Sequence, residues 1–221
     1  MKSECMVTLK RLKENELYRD REHASKELLE SLPLDNFQNS DILIVAISNG
    51  GAYFAKDISK KIDKEMDILL AQDIVAPQNS SVSIAVITET EDIIIHQELI
   101  KSFDINKDFI YSEAKRKYNE EILASKYRLR KGKEIKKIKD KDVLLVDDSI
   151  ETGLSMYAAI KSMITLGAKS IYVTVPVLDK GVCEKLLSIC DGIYSPYKVN
   201  DYVSIEYYYK EFTIIEDYIS N

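Results

Sequence analysis

The sequence predicts an α/β fold: a Rossmann-like, mostly parallel sheet with flanking helices. Three observations carry this. Two short runs, ILIVAI from Ile42 and VLLV from Val143, are apolar at every position, as strands covered on both faces are. Helical patterns alternate with such runs along most of the 221 residues, the order that builds a parallel sheet. The second run stops at two adjacent carboxylates, Asp147 and Asp148, immediately before a helix N-terminus. Open parallel sheets bind their ligands at that place, beyond the carboxyl ends of the strands.

Each element follows from local pattern. Leu17, Ala24, Leu28, Leu29 and Leu32 recur at helical spacing, which predicts a helix over 12–32 closed by Pro33. A strand over 42–47 comes next, and Ser48-Asn49-Gly50-Gly51 breaks it as a loop. A helix over 52–62 and a strand over 66–71 follow. The stretch 73–81, with Pro77, Asn79 and two serines, reads as a mobile loop, and the β-branched runs 82–88 and 93–95 read as a hairpin. One long polar helix is predicted over 104–130, with Phe109, Ile110, Ala114, Tyr118, Ile122 and Tyr127 on one face. The basic run RLRKGKEIKKIKDK, over 128–141, could hold phosphate or nucleic acid, but such runs are usually solvated faces or connectors.

Beyond it the pattern gives a strand over 143–146, a helix over 154–166 ending at Gly167, a strand over 170–175, a helix over 179–189 and a short strand over 192–194. The last segment is crowded with aromatics: Tyr197, Tyr202, Tyr207, Tyr208, Tyr209, Phe212 and Tyr218. The whole reads as a single domain. Its core covers about 40–195, a small hood comes from about 1–35 and 196–221, and the hairpin and long helix form a central insertion.

Composition removes several classes. A net charge of -6, with both signs interspersed, gives no general case for nucleic acid or acidic membranes as partners. Cys5, Cys183 and Cys190 are odd in number and form no CxxC pair, which disfavours a disulfide framework or zinc site and suits a reducing cytosol. Cys183 and Cys190 look like core residues. His23 and His96 are too few for a histidine-rich metal centre and are expected to be structural or capping residues. The N-terminus has no signal-peptide core, and no run approaches the roughly 18 apolar residues of a membrane span. The expectation is a soluble, cytoplasmic protein.

The stretch VLLVDDSIETGLS carries the chemistry. Ionised carboxylates at a strand end only accept hydrogen bonds or bind a hard cation such as magnesium. A vicinal diol offers them two adjacent donors. The segment from Ser149 to Ser155 then wraps into a helix start, whose free N–H groups and positive dipole end suit a phosphate. Thr152 and Ser155 add hydroxyls, and Gly153 lets the backbone come close. Carboxylates for a diol beside a nest for a phosphate describe the two polar parts of a ribose 5-phosphate. The plainer reading is an Asp pair serving as helix cap or solvated turn.

This stretch resembles the phosphoribosyl diphosphate motif of the type I phosphoribosyltransferases: apolar strand, two acids, two apolar or small residues, then a Thr-Gly loop ending in Thr or Ser. It fits at every position but Glu151. The whole chain is similar to a predicted bacterial phosphoribosyltransferase family. Its F-x-D-R-x-x-A-x-x-L segment resembles the stretch from Tyr18-Arg19-Asp20-Arg21 to Leu28, and its F-Y-x-D-F-like segment resembles Tyr208-Tyr209-Lys210-Glu211-Phe212. The resemblance implies that Asp147 and Asp148 hold the ribose hydroxyls and a magnesium ion, with Asp148 catalytic. It also implies that Ser149, Ile150, Glu151, Thr152, Gly153, Leu154 and Ser155 wrap the 5-phosphate and that Ser48, Asn49, Gly50 and Gly51 contact pyrophosphate. Tyr207, Tyr208 and Tyr209 are the candidates for stacking on an acceptor ring, with a packed lid over the sheet as the plainer reading. Related proteins often dimerise, which leaves a homodimer open.

Three departures reduce positive charge. Asn49 stands where the family commonly has Arg, Gln72-Asp73 where it commonly has Arg-Lys, and Glu151 puts a carboxylate in the phosphate loop. At about 6 Å and an effective dielectric near 20, each like-charge pair costs roughly 2–3 kcal/mol, so a phosphate requires Glu151 to point to solvent. Pyrophosphate departure needs positive charge that grows with the leaving group. Magnesium, Lys115, Arg116 or the basic run could supply it. Two functions remain. One is an enzyme binding phosphoribosyl diphosphate or a nucleoside 5'-monophosphate, transferring phosphoribosyl to a nucleobase-like acceptor with release of pyrophosphate. The other is a catalytically weak or inactive ribose-phosphate or nucleotide sensor on the same fold. A P-loop nucleotidase is excluded because GxxxxGK[ST] is absent, and a receiver domain because too little chain follows Asp148.

Overall fold

A computed structural model of the chain describes residues 16–215. In chain order it contains α1 (Arg21–Ser31), α2 (Leu34–Gln38), β1 (Ile42–Ala46), α3 (Asn49–Ile62), β2 (Met66–Ile68), β3 (Ala71–Ala76), β4 (Asn79–Thr88) and β5 (Ile93–Ile95). Then come α4 (Gln97–Ser102), α5 (Lys107–Lys117), α6 (Leu123–Arg130), β6 (Asp142–Val146), β7 (Ser149–Ile150) and α7 (Leu154–Thr165). β8 (Ser170–Thr174), β9 (Val177–Asp179), α8 (Lys180–Leu186), β10 (Gly192–Tyr194) and β11 (Tyr197–Val199) complete it. Leu12, Cys5 and Tyr218 lie outside the described residues.

The predicted parallel sheet is present, in the order β10-β8-β6-β1-β2. Its strands are apolar at successive positions because the side chains alternate between two cores. Ile42, Ile44 and Ala46 of β1 enter one core with Leu144 and Val146 of β6. Leu43, Val45, Val143 and Leu145 enter the other. Register pairs Ala46 with Val146, so the two chains leave the sheet side by side.

Three expectations are corrected. The stretch 73–81 is no mobile loop: β3 pairs antiparallel with β4, which starts at Asn79, and β4 pairs with β5. Pro77 and Gln78 make the turn between the paired strands, Asn79 and the serines open β4, and register shifts at Ile74, Val75 and Ala76 hide the period of two. Ser48 to Gly51 is the cap and first turn of α3, not a loop. The first helix is shorter than predicted. Asp20 caps α1 by accepting the His23 N–H at 2.8 Å, while Leu17 and Tyr18 donate their N–H groups to the Tyr208 carbonyl at 3.0 Å each.

The long helix runs through a π turn, Tyr118–Ile122, between α5 and α6. Burial recurs four residues apart at Ile110 and Ala114, and again at Ile122 and Lys126. A pure α-helix of 3.6 residues per turn drifts off that spacing by about 40° each step, and the wider π turn absorbs the drift. Tyr127, predicted on the apolar face, is consequently 74% exposed. Arg130 then anchors the helix end on the Glu89 carboxylate, just past the end of β4, and lies 4.0 Å from Asp67 of β2.

The terminal segments meet over the carboxyl ends of the strands. Tyr18 bridges to Tyr209, Lys210 donates to the Tyr18 carbonyl at 2.9 Å and Glu211 to the Arg19 carbonyl at 2.8 Å. The Tyr18 hydroxyl donates to Pro176 O at 2.8 Å. A small parallel sheet, β11-β9-β7, was not foreseen, because its strands are two or three residues long. His96 caps α4, accepting the Leu99 N–H at 3.3 Å, and Cys183 is buried.

Candidate functional site

Asp147 and Asp148 follow the last residue of β6, directly opposite the end of β1. Ser48 ties the two strand ends together. Its hydroxyl donates to Asp147 Oδ1 at 2.5 Å and accepts the Gly51 N–H at 2.8 Å as the cap of α3. Asp147 Oδ1 also accepts the Asp148 N–H at 2.9 Å. The two glycines pack tightly against the acid pair and the end of β6. A Cβ on Gly50 would lie 1.9 Å from Asp148 Oδ2, and one on Gly51 2.5 Å from the Val146 carbonyl. Only bare backbone lets α3 press its first turn against the acid pair.

Crowding governs the charge. Burial, then the charge of Asp148, push the Asp147 carboxyl up to about 8. Asp73 of β3, one of the three departures, adds a smaller repulsion. Burial also raises Asp148, opposed by the guanidinium of Arg21. Sequence reasoning missed Arg21 as a site residue, although it stands in the quoted Tyr18-Arg19-Asp20-Arg21 segment. It is 9% exposed, with Nη1 and Nη2 at 3.5 and 3.4 Å from Asp148 Oδ2. Its Nε donates to Thr213 O at 3.2 Å, and its guanidinium lies 4.6 Å from the centre of the Phe212 ring.

Two crowded carboxylates short of positive charge suit a hard cation. Among the described residues no group of three or more metal-binding side chains forms a closed site. Magnesium is usually held by one or two carboxylates together with ligand phosphate and water, and Asp147 and Asp148 offer that number of carboxylates.

The phosphate-loop candidate begins as β7, which pairs with β9. Ser149 accepts a hydrogen bond from the Tyr202 hydroxyl at 2.9 Å, and Ile150 is buried as an anchor. Glu151 and Thr152 are exposed, and both belong to the lining of the cleft that this loop forms. Gly153 has φ +77 and caps α7, with Leu154 and Ser155 in its first turn. Together with Asp147 these residues line a cleft of about 170 Å³ that carries no lysine or arginine. Any anion there meets backbone N–H groups and hydroxyls at the start of a 12-residue helix, with the Asp147 and Glu151 carboxylates on the same lining.

Asn49 heads α3 beside this site. Tyr208 does not reach it with a free ring face: it is 5% exposed, accepts the Val203 N–H at 3.2 Å through its hydroxyl and packs between Tyr202 and Tyr207. That is the packed-lid reading of the aromatic segment. Tyr209 is buried too, while Tyr207 is 41% exposed.

Paired acids between β1 and β6, where the strand order reverses, next to a helix-start loop, stand where open parallel sheets bind their ligands. The chain belongs to the phosphoribosyl transferase domain family, whose model matches residues 12–207. Over 177 residues it is 19% identical to a Mycobacterium tuberculosis protein provisionally named a phosphoribosyl transferase, found in strains CDC 1551 / Oshkosh and H37Rv. That match covers 80% of this chain and 39% of the relative, so the chain spans well under half the length of the curated relatives it matches. Among solved structures, TT1426 from Thermus thermophilus superposes with a TM-score of 0.69 at 24% identity, covering 90% of this chain and 93% of that one. The likeness shows a shared fold.

Proposed function

We propose that the chain binds phosphoribosyl diphosphate or a nucleoside 5'-monophosphate and transfers phosphoribosyl to a nucleobase-like acceptor, releasing pyrophosphate. The observation that carries this reading is the acid pair beside the 149–155 loop, with Asp147 lining the cleft and Asp148 next to it in the chain. Asp147 and Asp148 accept the two ribose hydroxyls, and the loop N–H groups receive the 5-phosphate. Charge-assisted bonds of this kind contribute about 1.5–3 kcal/mol each. In transfer, the bond from the anomeric carbon to the diphosphate oxygen breaks and its electron pair leaves with pyrophosphate. The acceptor nitrogen's lone pair forms the new bond, and its proton passes to solvent. Magnesium bound by the acids and the ligand would neutralise charge developing on the leaving group. Asp148, fixed by Arg21, is the residue we place nearest the reacting sugar.

A second reading, a ribose-phosphate or nucleotide sensor without turnover, is favoured by Asn49, Gln72 and Asp73, since Asp73 adds negative charge toward Asp147. Calorimetric titration of phosphoribosyl diphosphate with magnesium, then a pyrophosphate-release assay over a panel of bases, separates the two. Binding with release establishes the transferase and binding without release the sensor. No binding at saturating ligand refutes both.

A further inference from the structure

A second cavity, of about 170 Å³, opens beside Ser48. Its floor is the carboxyl ends of β1 and β2, with Ser48 and Asn49 at the start of α3 and Gln72 of β3 on its walls. Ser125, Arg128 and Leu129 of α6 close it from above. At roughly 30 Å³ for each water in the liquid, it has room for a group the size of several waters.

Of the charged residues of α6, Arg128 lines this cavity. Lys126 is paired with Glu134 and Arg130 with Glu89. Farther up the helix, Arg116 is held between Glu113 and Glu120, and Lys117 by Glu121. Arg128 is different: it lines the cavity, is exposed, and has no carboxylate partner among the described residues. Its position is not loose, because Arg130 ties the same turn to Glu89 and Leu129 packs on the core. The π turn matters here too. One extra residue rotates all that follows by about 100°, and with it the face that carries Ser125 and Arg128.

From this we infer that Arg128 is the cation that recognises the diphosphate of the ligand, in place of side chains from the strand-end loops. The inference rests on the proposed ribose-phosphate reading and deepens it. Ser48 lines the Arg128 cavity, and its hydroxyl holds Asp147, which lines the 149–155 cleft. A sugar seated on the acid pair is therefore flanked by two anion-receiving spaces of different chemistry. The 149–155 cleft has N–H groups and no cationic side chain, which suits a monophosphate. The Arg128 cavity is bordered both by a planar guanidinium with a fork of donors and by Ser48 and Asn49 at the N-terminus of the 14-residue α3, which suits the more highly charged diphosphate.

The test compares two probes on the full chain with magnesium present: phosphoribosyl diphosphate and ribose 5-phosphate. Arg128→Gln should weaken the diphosphate about tenfold or more, equivalent to about 1.4 kcal/mol, and leave ribose 5-phosphate within about twofold. Arg128→Lys, which keeps a point charge but loses the fork, should fall between. Equal loss for both probes, or none for the diphosphate, overturns the inference while the ribose-phosphate reading stands. If the unaltered chain binds neither probe, that reading fails and the inference falls with it. Thermal unfolding of both variants checks that the fold is kept, as expected for an exposed side chain.

Discussion

Asp147→Asn should make the metal-free protein more stable at about pH 8 and change it little at about pH 5. The carboxyl of Asp147 titrates near 8 in the fold against an ordinary value of 3.8. A carboxyl raised by folding contributes stability that is fully present below its unfolded value and is lost as pH climbs through the folded one. The window is therefore about pH 4 to 8. Some four pH units at about 1.4 kcal/mol each set a ceiling near 6 kcal/mol. Asp147 is half-buried, so solvent screens part of this, and the two acids titrate as a unit. We expect roughly 2–3 kcal/mol. Asparagine keeps an oxygen for the Ser48 hydroxyl and the Asp148 N–H, so packing is preserved. Urea unfolding midpoints in chelator, at both pH values, measure the difference. Magnesium should raise the midpoint of the unaltered chain at pH 8 and do so less for the variant. Parallel pH dependence in the two proteins would refute the claim that the acid pair is crowded.

Asp148→Asn should weaken ribose 5-phosphate binding by about tenfold, one charge-assisted contact, without lowering the melting temperature; calorimetry and a thermal scan check both. Arg21→Gln removes the cation that opposes the rise of Asp148. Its ligand affinity should therefore fall at neutral pH and recover as pH rises, a profile read by titration across pH 6 to 9. Gly51→Ala would set a methyl group 2.5 Å from the Val146 carbonyl and 2.8 Å from Asp147 Cα. Forcing α3 off the strand end should cost about 1–3 kcal/mol, measured by urea unfolding, and should weaken ligand binding as well.

The sheet was legible because burial on both faces leaves a plain trace: no polar residue interrupts ILIVAI or VLLV, and each side chain finds one of the two cores. Segments whose polar residues are satisfied by backbone pairing left no such trace. The stretch 73–81 reads as loop from composition, yet its Pro sits in the hairpin turn, its Asn opens β4, and β3 is set by pairing with β4. The π turn was illegible for a related reason. Periodicity assumes a fixed 3.6 residues per turn, and a single inserted residue moves Tyr127 outward without changing the polarity of the sequence.

The site divides along the same line. Asp147, Asp148 and the loop 149–155 are contiguous, and their spacing alone places them at a strand end before a helix. Arg21 and Arg128 come to that place only through the fold, one with the terminal segments and the other with the long helix. Charge counted along the strand-end loops therefore understates what the crevice offers. Asn49 and Gln72 remove cations locally, but a guanidinium from α6 lines the same cavity, and one from α1 faces Asp148. Loss of basic residues at the expected positions is an argument against ligand binding only if no distant element brings them back, and here two do.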